Sequence, residues 1–254
     1  MSTKTPVLWQ IKISHYNEKA RWALDYKGVA HKRRSPMPLF GTLPTAWVLT
    51  RGTTVPVLRL DGRSIGDSTR IIAALEQRYP DPPLYPSDPK QLARALELED
   101  FFDEQLAPHL RLFVWHETTK QPRVFLRTAM PGAHSAVYAA MRPAAGLTAT
   151  LLRKRFDITE DKARESRRKV IAAMEHLQNE LGGRDYLVGD AFSVADLTAA
   201  TMFTPTVLPP ERQYPPTVEA VPAVRELTEE LESMPGAQWI HEMFRRHRGV
   251  SAQV

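Results

Sequence analysis

The chain has 254 residues, 43% of them hydrophobic and 25% charged, with a formal net charge of +5 and no cysteine. That is the composition of a folded protein of one large or two small domains, and it excludes a disordered chain, a disulfide framework, a Cys-ligated metal site and a cysteine nucleophile. No stretch reaches the roughly 18 consecutive apolar residues of a membrane span and the first residues lack the pattern of a secretory leader, so the sequence predicts a cytoplasmic protein.

The charge is unevenly placed: residues 1–80 hold 13 Lys and Arg against 5 Asp and Glu, leaving the remainder mildly acidic. Two units with different tasks are expected. The first mixes strand and helix. Val7, Trp9, Ile11 and Ile13 share one parity, the period of a strand. Asn17–Lys27 places Ala20, Ala23, Leu24 and Lys27 at helical spacing, and Gly28 stands where a glycine ends a helix. Residues 29–34 predict a second strand, followed by a loop. Val55–Leu60 predicts a third, and Asp61-Gly62 is a two-residue hairpin turn into Arg63–Ile65. Ser68–Arg78 is helical, with Ile71, Ile72 and Leu75 on one face.

Proline then interrupts the chain. Five of the ten residues from Pro80 to Pro89 are proline, which no helix or central strand survives, so 81–88 reads as a linker. Helical patterns follow. Gln91–Glu117 predicts one long helix kinked at Pro108, whose cluster Glu97, Glu99, Asp100, Asp103 and Glu104 predicts a solvated or interface face. Residues 119–150 are broken by Pro122, Pro131-Gly132, Pro143 and Gly146. Glu160–Leu181 is a helix closed by Gly182-Gly183. Ser193 and Asp196 form a capping box, with Phe192 and Leu197 placed as its hydrophobic staple. A proline-rich loop over 205–222 precedes helices at Val224–Leu231 and Gln238–Arg245. The basic runs 153–155, 167–169 and 245–248 lack the aromatic interleaving of a single-strand-binding surface, so no nucleic-acid partner is expected.

Three short stretches can carry chemistry. Ser14 stands where the first strand gives way to a helix, whose free N–H groups and partial positive charge favour an anion; its hydroxyl, or that of Tyr16, can donate to a thiolate. Val55-Pro56 opens a strand, and a proline there supplies no N–H, leaving the backbone of Val55 free to pair with an extended ligand. Asp67-Ser68 opens a helix and can hold the ammonium and carboxylate of an amino-acid-like group. Taken singly, each reads at least as well as a helix cap or an edge-strand proline. Phosphate-loop, zinc-protease, nucleophile-elbow and dinucleotide motifs are absent, and the His residues have no metal-ligand spacing, so no metal is expected.

Together, SHYNEKARWALDYKG, TVPVLRLDGRSIGDSTRIIAALEQRYP and DYLVGDAFSVADLT resemble the cytosolic glutathione transferase superfamily, in its serine-type members. The resemblance implies an α/β thioredoxin-like N-terminal domain over 1–80, the 81–88 linker and an all-α domain over 89–254. It implies that Ser14, with Tyr16 as rival, stabilises the thiolate of glutathione. It implies that Val55, before a cis Pro56, pairs with the cysteinyl part, and that Asp67 and Ser68 hold the γ-glutamyl group. The family's Asn-Pro-x-Gly stretch and its Lys or Gln before Val-Pro are missing here; Thr54 stands in that place, and Arg51 is the candidate for the glycyl end. A small hydrophobic electrophile would enter between the domains, at a pocket of His15, Tyr16, Phe113, Trp115 and His116. The implied protein is a homodimer acting as a transferase. A lyase, isomerase or peroxidase using the same thiolate, or a binding protein without turnover, is the alternative.

Overall fold

The computed structural model describes residues 5–36, 42–216 and 219–254. Four strands make one mixed sheet: β1 (Val7–Trp9), β2 (Lys32–Arg34), β3 (Val57–Leu60) and β4 (Arg63–Gly66), in the order β2-β1-β3-β4. β1 runs parallel to β2 and antiparallel to β3, and the Asp61-Gly62 turn closes the β3–β4 hairpin, with Leu60 opposite Arg63. Asp61 and Gly62 both have positive φ, as a two-residue turn of this kind requires. Around the sheet lie α1 (His15–Tyr26), α2 (Thr42–Thr50) and α3 (Ser68–Arg78).

The first strand is shorter than its alternation implies, and both of its faces are used. Leu8 lies in the main core with Leu58, Leu60, Ile71 and Leu75. Trp9 and Ile11, of the opposite parity, pack in a small cluster with Ala46, Val55 and Val57, under α2. α2 replaces the loop expected there. A helix over TLPTAWVLT is hard to read because Pro44 stands inside its first turn, a position a helix tolerates.

The rest is helical: α4 (Pro89–Asp100), α5 (Ala107–Thr119), α6 (Pro122–Ala129), α7 (Ser135–Met141), α8 (Ala145–Arg155), α9 (Glu160–Leu181), α10 (Val194–Met202), α11 (Pro222–Glu232) and α12 (Pro235–His247). α4 and α5 are the predicted long helix, interrupted by a π-helical turn over Phe101–Leu106 in which the Ala107 N–H reaches back to the Phe102 carbonyl. Pro108 follows at once. It has no N–H for the carbonyl four residues earlier, and the wider turn absorbs the mismatch. Residues 119–150 resolve into three short helices with proline near the start of two segments. The proline-rich stretch from 205 is irregular as far as it is described, and 217–218 lie outside the described residues.

One core runs through the α/β part and the helices together. Trp22 of α1 is its largest member: fully buried, it packs against Phe192 and Phe244 at 5.5 and 4.3 Å between ring centres and donates Nε1 to the His247 carbonyl. Truncating such a side chain typically costs about 3–5 kcal/mol. The chain's last residues also return to the sheet, where His31 and Gln253 form a parallel bridge beside β2. Among the described residues no helix is long and apolar enough to cross a membrane.

Candidate active site

The site is built around the first turn of α1. Ser14 is its N-cap, with φ −78° and ψ 128°, and its hydroxyl caps nothing. Most Ser N-caps spend the side chain on an amide two or three residues on; this one leaves the hydroxyl free for another partner. Tyr16 differs. Its hydroxyl donates to the Asp103 carbonyl in the π turn, at 2.9 Å. Burial, with the nearby charges of Asp103, Glu104 and Asp67 adding to it and Arg111 opposing, raises the phenol above its ordinary value.

Asn17, fully buried, joins this turn to the Val-Pro strand. Its Oδ1 accepts from the Ile11 amide at 3.2 Å and its Nδ2 donates to the Val55 carbonyl at 3.3 Å. The Val55–Pro56 peptide is cis. Asn17 thus uses one acceptor position of Val55, whose N–H has no partner among the described residues. Arg51, exposed at the end of α2, has φ 59° and stacks 5.7 Å over the Trp47 ring.

At the start of α3 the paired residues separate. Asp67 is exposed and caps the helix, its Oδ1 accepting from the amides of Thr69 and Arg70 at 3.0 and 3.2 Å. Ser68 is buried, and its hydroxyl has no hydrogen bond among the described residues. Behind them lies a buried polar knot. Lys19 is wholly enclosed, with its ammonium 2.7 Å from Glu99 and 2.5 Å from Asp103, and it donates to Thr69 Oγ1 at 3.1 Å. Thr69 donates in turn toward both carboxylates. Burial raises the Glu99 carboxyl above its usual range, with Lys19 opposing. Glu99 and Asp103 therefore depart from the solvated face expected of their cluster, whereas Glu97, Asp100 and Glu104 are exposed. One buried oxygen on each, Glu99 Oε2 and Asp103 Oδ1, has no partner.

Residues 8–83 match the glutathione S-transferase N-terminal domain family, and residues 130–235 match the glutathione S-transferase C-terminal domain family. The two matches follow one another along the chain and cover more than two thirds of it. The chain belongs to the cytosolic glutathione transferase superfamily. Solved structures share the fold across nearly the whole length. A glutathione S-transferase from Methylobacterium radiotolerans, in complex with glutathione sulfonate, is 23% identical, covers 92% of this chain and 93% of its own, and superposes with a TM-score of 0.57. The β-etherase LigF from a Sphingobium strain is 19% identical over 94% of this chain and 99% of its own, with a TM-score of 0.58. A possible glutathione S-transferase from Rhodopseudomonas palustris is 15% identical over 98% of both chains, with a TM-score of 0.61. No curated protein matches the sequence.

Within this glutathione transferase fold, the hydrogen bonds bring the first turn of α1, Val55 and the start of α3 together through Asn17 and Lys19. The second-substrate set is not brought together in the same way. His15 and Tyr16 are neighbours, their ring centres 4.6 Å apart. Phe113 lies in the main core. Trp115 packs edge-on against Phe125, 5.7 Å away, in a separate cluster of α6–α8. His116 is buried beside Glu117, 2.8 Å from Nδ1, and Glu160. At 100° per residue, Phe113 and His116 share one face of α5 while Trp115 points to another. Sequence reasoning missed Asn17 as a bridge and the Lys19–Thr69–Glu99–Asp103 knot. The four-residue spacing of Glu99 and Asp103, one helical turn, was the available signal.

Proposed function

We propose that this chain binds glutathione in its N-terminal unit, over residues 1–80, and that Ser14 stabilises the glutathione thiolate for attack on a small electrophile. The electrophile enters beside the helices of 89–254, beyond the 81–88 linker. The observation that carries this reading is the pair of hydroxyls: Ser14 is free at a helix N-terminus, while Tyr16 is committed to the Asp103 carbonyl. A free thiol has a pKa near ~8.5 and the thiolate is the nucleophile, so a donor and a helix N-terminus aimed at sulfur raise the reactive fraction at neutral pH. Val55, before the cis Pro56, would offer its backbone N–H to the cysteinyl part. Ser68 would take the γ-glutamyl carboxylate and Asp67 its ammonium, with Arg51 for the glycyl end. The reading includes a cytoplasmic homodimer, with α4 and α5 at its interface.

The test is a titration with reduced glutathione that follows the ultraviolet band of the thiolate across pH. A saturable band below the free thiol's pKa, reduced at least tenfold in Ser14→Ala, supports the mechanism. Binding without a thiolate band supports the second reading, a glutathione-binding protein without turnover, which the Asn17–Val55 hydrogen bond and the capping duty of Asp67 favour. The same thiolate could serve a lyase, isomerase or peroxidase step, and only products from an electrophile panel separate these.

A further inference from the structure

The loop between β1 and α1 is braced by two buried side chains of α1. Arg21 holds one side of it. Nη1 donates to Gln10 Oε1 at 2.7 Å and Nη2 to the Lys12 carbonyl at 3.1 Å, while Glu18 meets the charge at 2.6 Å. Every hydrogen bond of Arg21 stays within residues 10–18. Asn17 holds the other side. Its Oδ1 takes the Ile11 amide, and the Ile11 carbonyl accepts in turn from the Ser14 amide at 3.3 Å. Asn17 also reaches out of the loop, through Nδ2 to the Val55 carbonyl. Among the described residues that is the one hydrogen bond between residues 10–17 and Val55.

The amide suits this place by its chemistry. Asn offers an acceptor and a donor on a short stem, and here each faces a main-chain group of the opposite kind. Leaving either buried group unmet is costly, so one side chain holds the Ser14 loop and the Val55 peptide in a single register. In the glutathione reading both segments serve the same residue of the tripeptide. Val55 pairs with the cysteinyl backbone and Ser14 meets the cysteinyl sulfur. The spacing between them therefore decides whether the sulfur of a ligand seated on Val55 lies within reach of the Ser14 hydroxyl, and a misplacement of about 1 Å is enough to lose such a contact. We propose that Asn17 is a positioning residue for thiolate formation, setting the Ser14 hydroxyl against the Val55 peptide without touching the reacting atoms. This inference rests on the glutathione reading of Ser14 and Val55. Because Arg21 braces the loop independently, losing Asn17 changes the register and leaves the fold.

The test compares two variants of the full chain. Asn17→Leu removes both bonds at nearly the same volume. Asn17→Asp keeps the acceptor toward Ile11 and sets a second acceptor against the Val55 carbonyl. Two readouts are taken: the ultraviolet thiolate band of bound glutathione across pH, and the calorimetric affinity of S-methylglutathione, which has no thiol for Ser14 to stabilise. Both variants should lower the thiolate fraction at neutral pH about tenfold, while S-methylglutathione affinity stays within about threefold of wild type. Asn17→Gln, which carries the same two groups, should recover part of the band. A bound thiol that titrates as in wild type in both folded variants overturns the proposal. So does a loss of S-methylglutathione affinity as large as the loss of thiolate, which would make Asn17 part of the binding scaffold only. Thermal unfolding identifies a variant that has lost its fold, and Asn17→Ser, too short for the Val55 bond, then takes its place. A wild type that shows no thiolate band removes the activation reading, and this proposal falls with it. A band of equal strength in wild type and variants removes only the role of Asn17.

Discussion

Ser14 and Tyr16 are two residues apart, and what separates them is where their protons go. The Tyr16 hydroxyl holds the π turn through Asp103, so Tyr16→Phe should cost about 1 kcal/mol of stability, one buried hydrogen bond. It should leave the thiolate band of bound glutathione intact; urea unfolding and the ultraviolet titration read the two effects separately, and loss of the band would transfer Ser14's role to Tyr16. Glu18, in the same turn, makes a second argument. Burial alone would raise its carboxyl, but the guanidinia of Arg21 and Arg248, 2.6 and 2.7 Å away, hold it at about 2, below its ordinary 4.5. A carboxyl depressed by folding stabilises above its unfolded pKa and loses that contribution as pH falls through the folded one. Stability should therefore decline by about 3 kcal/mol from pH 4.5 to 2 on this account, and Glu18→Gln should flatten that part of the profile of urea midpoints. These partnerships were opaque in the sequence. Ser14, Val55 and Asp67-Ser68 stand out because strand ends, prolines and caps have local signatures. Asn17 and Lys19 act through residues 38 and 84 positions away, which no local pattern encodes.

At the scale of elements, the capping box of α10 is the clearest match between local sequence and structure. Asp196, fully buried, accepts from the Ser193 amide and hydroxyl at 2.9 and 2.8 Å and from the Leu187 amide at 2.8 Å. Removing it orphans two buried amides, so Asp196→Ala should lower stability by about 3 kcal/mol in urea unfolding. A loss under about 1 kcal/mol would mean the box adds only local helix propensity. Burial outweighs these hydrogen bonds and pushes the Asp196 carboxyl up to about 6. The native state then holds a proton that the unfolded state has released, so this residue's contribution shrinks as pH rises from about 4 to 6, and the gap between wild type and Asp196→Asn should narrow over that range. Boundaries written by glycine, proline and caps were legible: α3 and α9 span the predicted residues. α2 was not, because Pro44 reads as a breaker when its place in the first turn is unknown. Nor was the π turn, because Phe101–Leu106 carries an ordinary helical pattern and only its packing against Tyr16 and Lys19 marks it.

At the scale of the whole molecule, the last helix and the tail lock onto α1. The run 245–248 reads in sequence only as a short basic run, and its last member, Arg248, is wholly buried and pairs with Glu18 and Asp25 at 2.7 and 2.9 Å. Asp25 also accepts from the Arg33 guanidinium and the Ala252 amide. Beyond it, the His31 amide donates to the Ala252 carbonyl and the Val254 amide to the His31 carbonyl. Two kinds of attachment are thus combined, an ion cluster and a short strand-like pairing, and their energetics differ. Deleting 251–254 removes the exposed pairing and one amide bond to Asp25, but leaves every charge of the cluster partnered, so it should cost about 1–2 kcal/mol. Arg248→Met takes one of two cations from each of two buried carboxylates, leaving Glu18 to Arg21 and Asp25 to Arg33, and should cost more, about 2–4 kcal/mol, because buried ion pairs and their hydrogen bonds are lost together. If the penalty comes from the lost ion pairs and not from lost packing, neutralising a partner must relieve it. Glu18→Gln combined with Arg248→Met should then unfold at a higher urea concentration than the sum of the single losses implies. Strict additivity would assign the cost of Arg248→Met to its packing over Trp22, whose ring centre lies 5.7 Å from the guanidinium.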